Sequence, residues 1–396
     1  MTAPTLPTRN PRTGEIDYAM PVVTPAQVQS TAARLRAAQT AWVAAGVDHR
    51  VAVMQRWAAA LAAERDALVA ALVADTGRHA EAVLEFDATL GALQRWCAQA
   101  PALLTEEPAA RLRFRSLAAV PELAAVLAYV TGGPATGEAL VRAVDAVCFT
   151  GSVKTGRRVG LAAMEAFIPS FLELGGKDAA LVLADADLHR TARSLAWGGM
   201  VGAGQSCMSI ECVYVDATVA QPFTDLLVQR EAALRHNWSD IHQGQIGPII
   251  AAAQVDVVRR HLEQAQAAGA RALTGGHVVQ HGGGWWCEPT ALVDVTPDMA
   301  VVAEETFAAV LPVMQFNGIE DGIAQANSGD FGLSAAVFSA NLDQARAVAR
   351  RLQAGAISIN DSSLTALVHD GAKQSFKLSG LGGSRMGPGS LARFYR

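Results

Sequence analysis

From Pro121 onward, short apolar runs alternate with amphipathic stretches of helical length, and this alternation constrains the fold more than any other feature of the chain. Val126 to Val130, Ala146 to Phe149, Phe171 to Leu174, Ala180 to Leu183 and Cys212 to Val215 are apolar runs bounded by glycine or polar residues, with Ala335 to Phe338 and Ala356 to Ile359 following. Runs apolar on both faces suit strands covered on both sides, as in a parallel sheet between helices. Leu188 to Met200, Gln221 to Arg235, Ala251 to Ala267 and Asp343 to Leu352 read as the intervening helices. The first third is helical instead. Thr24-Pro25-Ala26-Gln27 combines a capping hydroxyl, a proline at the first helical position and a Gln three residues on. One amphipathic run follows through Val28, Leu35 and Trp42, and a second extends from Val51 to Val73.

With 396 residues, 51% hydrophobic and 17% charged, the chain has the balance of a folded globular protein. The net charge of −5, without a dense basic cluster, excludes nucleic acid as the default partner. No run of about 18 uncharged apolar residues predicts a membrane span, and Met1 to Arg12 lacks the apolar core of a signal peptide, so a cytoplasmic location is expected. Cys97, Cys148, Cys207, Cys212 and Cys287 are odd in number and scattered, which favours core filler or a nucleophile over disulfides or zinc. The nine histidines fall mostly in polar or helix-surface contexts without metal-ligand spacing, so no metal is expected.

Four stretches could carry chemistry. Cys207 follows Gly202 and Gly204 in a turn whose backbone amide could face a ligand, although a free cysteine is more often a small buried hydrophobe. Glu173 is a carboxylate in an apolar strand, suited to general base work if desolvated, or simply paired with Lys177 or Arg157. Thr150-Gly151-Ser152 ends a strand and opens a helix, where free amides can hold phosphate; an ordinary loop with a serine cap is the plainer reading. Glu304-Glu305-Thr306-Phe307 adds a carboxylate pair that could equally be a solvated helix start.

In order along the chain, Leu172-Glu173-Leu174-Gly175-Gly176-Lys177, Gly204-Gln205-Ser206-Cys207 and Glu304-Glu305-Thr306-Phe307 together resemble the aldehyde dehydrogenase superfamily. Asn10-Pro11-Arg12-Thr13-Gly14-Glu15, Asp75-Thr76-Gly77-Arg78, Val130-Thr131-Gly132-Gly133 and Gly355-Ala356-Ile357-Ser358-Ile359-Asn360 extend the resemblance over nearly the whole chain. It implies an α/β fold with a partial Rossmann-like cofactor domain plus an α/β catalytic domain. The implied boundaries are 1–174 for the helical region and shortened NAD(P)-binding domain, 175–366 for the catalytic domain, and 367–396 for a glycine loop and tail returning to the cofactor and oligomerisation side. The implied reaction is NAD- or NADP-dependent oxidation of a small-molecule aldehyde to a carboxylic acid. Cys207 would attack the aldehyde carbon, its backbone amide would hold the oxyanion, and Glu173 would activate the water that hydrolyses the thioester. Gly151 and Ser152 would lie by the pyrophosphate, Glu305 by the nicotinamide-side ribose and Phe307 by the ring, with Leu174 and Gly175 completing the cofactor-binding set.

The chain also departs from that pattern. Between Leu104 and Val126 about two βα units, on the order of fifty residues, are missing, and with them an oxyanion-hole Asn and a ribose-binding Lys. Deleting strands from a parallel sheet leaves a new edge. Phe307-Ala308-Ala309 replaces Phe-Gly-Pro, and Gly202-Ala203 stands where an Asn often precedes the cysteine turn. The sequence ends at Phe394-Tyr395-Arg396, short of the apolar strand that pairs across family dimers, which weakens the implied homodimer. Two alternatives stay open: a degenerate pseudoenzyme or scaffold subunit, and a cofactor-independent thioester or ester hydrolase using Cys207. Trp197, Met200, Met208 and Ile210 form either an apolar mouth or plain core.

Overall fold

A computed structural model describes residues 4–103, 120–362, 365, 368, 371–383, 386, 387 and 390. The chain starts with an antiparallel hairpin, β1 (Thr5–Arg9) and β2 (Ile16–Pro21). Thr24 then caps α1 (Pro25–Ala44) reciprocally, its Oγ1 accepting from Gln27 N at 3.3 Å while Gln27 Oε1 accepts from Thr24 N at 2.9 Å. The expected single helix from Val51 to Val73 is two helices, because Glu64 leaves helical geometry (φ −97°, ψ 13°) between α2 (Gly46–Ala63) and α3 (Arg65–Thr76). Gly77, left-handed at φ +68°, ends α3, and α4 (His79–Leu103) follows. Val53, Trp57, Leu93, Cys97 and Leu123 close a separate helical core.

The unit that follows is small. After α5 (Pro121–Val126), Leu127 to Val130 belong to no strand ladder, which corrects the expectation of a strand there. Leu127 is extended (φ −132°, ψ 132°), but a strand persists only where a neighbour completes its hydrogen bonds, and the sequence lacks the units that would flank it. Next come α6 (Pro134–Ala143), β3 (Val147–Thr150), α7 (Val153–Glu165) and β4 (Ser170–Glu173). β3 and β4 run parallel, from Val147 opposite Ser170 to Thr150 opposite Glu173.

The remainder winds β5 (Asp178–Val182), α8 (Leu188–Met200), β6 (Ile210–Asp216), α9 (Ala220–Ala232), α10 (Ala252–Ala267), β7 (Arg271–Ala272), β8 (Val278–His281), β9 (Gly284–Cys287), β10 (Thr290–Val293), α11 (Ala300–Ala303), β11 (Val310–Phe316), α12 (Ile319–Asn327), β12 (Phe331–Gly332), β13 (Ser334–Phe338), α13 (Leu342–Ala349) and β14 (Ala356–Ile359). Among the described residues the main sheet has seven strands in the order β14-β13-β5-β6-β11-β10-β7, parallel except for β7. Its two faces are both buried: Ala179 and Leu181 enter one apolar cluster while Ala180 and Val182 enter the other. The chain then returns through β15 (Phe376–Lys377), paired with β12, to β16 (Gly380–Leu381), which lies antiparallel on β4 with Gly380 opposite Glu173. No described helix is long and apolar enough to cross a membrane.

Candidate active site

The Cys207 turn is built from an unusual run of left-handed backbone. α8 stops at Met200, and Gly202, Ala203 and Gly204 take φ of +63°, +56° and +70°. Gly204 is obligatory, since a Cβ there would lie 2.1 Å from Ala308 O. Ala203 carries a Cβ in this conformation, at a cost of about 1–2 kcal/mol, at the position where an Asn tolerates it better. Surrounding polar contacts hold the turn. Arg78 Nη1 donates to Gly202 O at 2.7 Å, and Gly202 N donates to Glu81 Oε1 at 3.1 Å. Gln205 clamps the neighbouring loop, Nε2 donating to Pro248 O and Oε1 accepting from Ile250 N, both at 2.9 Å. Asn237 Nδ2 donates to Gly77 O at 2.8 Å, and Arg12 donates to Asn237 O at 2.9 Å and to Trp238 O at 3.0 Å. Two of the outlying motifs, through Arg12, Gly77 and Arg78, are thus braces for this turn and its neighbouring loop. Cys207 is half-buried; Cys97, Cys212 and Cys287 are core, with burial pushing the Cys212 thiol up to about 11, while Cys148 is exposed.

Glu173 closes β4 beside the Gly151–Ser152 turn. Gly151 N donates to Glu173 O at 3.2 Å, and Ser152 caps α7, its Oγ accepting from Thr155 N at 3.3 Å. Leu174 is buried beneath α7, where a Cβ on Gly156 would meet Leu174 Cδ2 at 2.4 Å. The next two glycines bring the motifs together. A Cβ on Gly176 would lie 2.6 Å from Cys207 O, and one on Gly175 would lie 2.5 Å from Glu305 Oε2. Gly176 N also donates to Glu305 Oε1 at 3.2 Å. The Gly175–Gly176 turn, which directly follows Leu174, thus lies against both the Cys207 backbone and Glu305.

Glu305 is not a solvated helix start. It follows the end of α11, and burial, followed by the charge of Glu211, pushes its carboxyl up to about 7. Its neighbour Glu304 is exposed and pairs with Arg260 at 2.8 Å. Phe307 sits at φ +53°. Lys177 does not pair with Glu173 as the plain reading had it; its Nζ contacts Glu211 Oε2 at 2.7 Å in an ion pair with side chains only 6% and 2% exposed. Glu211 was missed from sequence, although a lone carboxylate in Ile210-Glu211-Cys212-Val213 is the same signal that singled out Glu173. His261 also contradicts a surface reading: it is fully buried on α10, with Nδ1 3.1 Å from Thr306 Oγ1. Met200 and Ile210 are core, whereas Trp197 is exposed and Met208 half-buried. Among the described residues no cluster of His, Cys, Asp and Glu could hold a metal.

The sequence model of the Aldehyde dehydrogenase family matches residues 1–119 and 112–396. The chain belongs to the aldehyde dehydrogenase family. The two matched stretches meet between Leu104 and Val126, where the sequence places the missing segment; residues 104–119 lie outside the described ones. Within the family, this chain is 38% identical over 255 residues to a betaine aldehyde dehydrogenase of Cereibacter sphaeroides, 64% of this chain and 52% of the relative. It is 40% identical over 238 residues to a 4,4'-diapolycopene aldehyde oxidase of Methylomonas sp, 59% of this chain and 43% of the relative. The match thus spans about half the length of these curated relatives. Among solved structures, "Putative Aldehyde Dehydrogenase PutA" from Anabaena variabilis superposes with a TM-score of 0.96 at 40% identity, covering 99% of this chain and 96% of that one. An aldehyde dehydrogenase of Mycobacterium tuberculosis complexed with NAD+ superposes with a TM-score of 0.91 at 25% identity, covering 100% and 94%. The aldehyde dehydrogenase fold, with its Rossmann-like region and separate catalytic α/β unit, is therefore shown.

Proposed function

We propose that this chain oxidises a small aldehyde to a carboxylic acid, with Cys207 as nucleophile, Glu173 as general base, and NAD or NADP as oxidant. The observation that carries the reading is the convergence at Gly175 and Gly176, which sets Glu305 and the Cys207 backbone against the segment that follows Glu173. The residues fit a dinucleotide. The thirteen-residue helix α7 opens at the exposed Gly151–Ser152 turn, where first-turn amides can face a pyrophosphate, and the absence of a side chain at Gly175 lets the Glu305 carboxyl lie against the backbone beside it. Gly151, Ser152, Leu174, Gly175, Glu305 and Phe307 would hold the cofactor, which when bound supplies the hydride acceptor.

The chain's own residues do the rest. Cys207 Sγ adds to the aldehyde carbon, and the Cys207 N–H, at the end of a braced turn, would donate to the developing oxyanion. Once the carbon is oxidised to a thioester on Cys207, Glu173 takes a proton from water as its oxygen attacks the acyl carbon, and the thiolate leaves. Loss of the Asn donor inferred from sequence would slow the first addition by about a hundred- to a thousandfold. The domain division at 1–174, 175–366 and 367–396, a homodimer and a cytoplasmic location belong to this reading. The exposed Leu161, Met164 and Phe167 at the end of α7 support a covering subunit. Purified protein with NAD or NADP and an aldehyde panel should form reduced cofactor, and Cys207→Ala should abolish it; absence of turnover and of cofactor binding in a cooperatively folded protein would overturn the reading. The sheet of β3, β4 and β16, three-stranded among the described residues, favours one second reading, cofactor-free ester or thioester hydrolysis at Cys207. A Cys207-dependent burst from a chromogenic ester, in protein that binds no dinucleotide, would establish it in place of the first.

A further inference from the structure

Glu211 stands on β6 four residues after Cys207 and is 2% exposed. Its carboxylate is saturated by three donors from two other motifs: Oε2 accepts from Lys177 Nζ at 2.7 Å and from Thr306 N at 2.8 Å, and Oε1 accepts from Phe307 N at 2.8 Å. Thr306 is gripped on its other side as well, for its Oγ1 accepts from Lys177 Nζ at 3.0 Å and meets His261 Nδ1 at 3.1 Å. We infer that Glu211, with Lys177, is the positioning residue that fixes the Glu305–Phe307 loop over the Cys207 turn, so that dinucleotide binding depends on it and the thiol's own reactivity does not. The inference rests on the proposed cofactor role of Glu305 and Phe307.

The geometry requires a carboxylate here. Phe307 is held left-handed at φ +53°, a conformation that a phenylalanine does not keep unless its surroundings dictate it, and its N–H is pinned by Glu211. The two successive amides donate to different oxygens of Glu211, and a carboxamide, with a single oxygen, cannot receive them in this arrangement. Lys177 supplies the charge that makes this carboxylate tolerable when buried, and it follows Gly176 directly, whose N–H holds Glu305 Oε1. One ion pair thus locks the turn below Glu305 and the loop carrying Glu305 to the strand that begins after Cys207.

The test uses the full chain carrying Glu211→Gln and, because that variant leaves a buried ammonium without its counterion, the double variant Lys177→Met with Glu211→Gln. In whichever folds cooperatively, amide exchange at Thr306 and Phe307 should accelerate at least about tenfold. Calorimetric NAD affinity should fall about tenfold while iodoacetamide alkylation of Cys207 stays within about twofold. Unchanged exchange at both amides overturns the positioning role. Faster exchange with unchanged NAD affinity overturns the link to the cofactor, and a parallel loss of Cys207 alkylation shows general damage instead of positioning and overturns the selectivity claimed. Failure of the cofactor reading itself is separately visible as wild-type protein that binds no NAD; with faster exchange in the variant, the positioning then stands and its link to binding falls.

Discussion

The sheet beside the Cys207 turn has seven strands with apolar clusters on both faces, whereas the sheet carrying Glu173 and the Gly151–Ser152 turn has three among the described residues. β5 is buried at every position; β3 alternates half-buried and exposed, with Cys148 and Thr150 open. The difference teaches that the two halves of one active site need not be equally well supported. The thiol's side is fixed by a closed core and a braced turn. The proposed cofactor side rests on a parallel pair closed, among the described residues, by one short antiparallel strand, and on α7, whose end exposes Leu161, Met164 and Phe167.

The largest expected effect separates the halves chemically. Cys207→Ala should cost at least about a thousandfold in aldehyde oxidation while leaving NAD affinity unchanged, as measured by turnover and calorimetry on the same preparation. A matching loss of affinity would show that the two sides are not independent. In stability, Phe338→Ala should cost about 3–5 kcal/mol in urea unfolding, because Phe338 is 1% exposed in the complete sheet. Phe167→Ala, at a residue 91% exposed, should stay within about 0.5 kcal/mol. Similar losses at both would erase the contrast.

Between the halves lies Glu305, whose carboxyl is raised to about 7. A carboxyl that is harder to ionise folded than unfolded keeps its contribution at low pH and loses it as pH rises from about 4.5 through 7. Wild-type protein should therefore lose up to about 3 kcal/mol over that window relative to Glu305→Gln, read from urea midpoints at several pH values. Parallel pH profiles would place Glu305 in water. The smallest effect is Ala203→Gly, which relieves a left-handed alanine at the cost of unfolded-state entropy and should stabilise by about 0.5 kcal/mol.

Much of this was legible in the sequence. The helix read from Leu188 to Met200 is α8 end for end, and the apolar runs at 146–149, 171–174, 180–183, 212–215, 335–338 and 356–359 fall on β3, β4, β5, β6, β13 and β14. Each carries its own hydrophobic period and pairs with at least one neighbouring strand. Val126 to Val130 carries the same pattern and forms no ladder, since pattern specifies a face to bury and not the neighbour that completes a strand. The break at Glu64 lay inside an unbroken apolar period, where backbone geometry leaves no mark on composition. The Gly175–Gly176 turn meets the Cys207 backbone and the Glu305 carboxyl, in keeping with the order of the motifs; Glu211 escaped although it is the same kind of signal as Glu173, and His261 escaped as a single polar residue inside an apolar helical pattern. His261 lies among Val255, Val258, Leu262 and Ala265 on the buried side of α10, and that spacing alone was enough to place it.

The pairing of β16 with β4 also sets a timetable for synthesis. Gly380 lies opposite Glu173, so the strand ending in the proposed general base waits for 380 − 173 = 207 further residues before its second neighbour leaves the ribosome. At about 5–20 residues per second this is roughly 10–40 s, during which the whole seven-stranded sheet can form. The nascent chain thus completes the surroundings of the proposed nucleophile first and those of the proposed base last, and a truncated product ending before Ser379 would carry the Cys207 thiol without the finished strand pairing at Glu173.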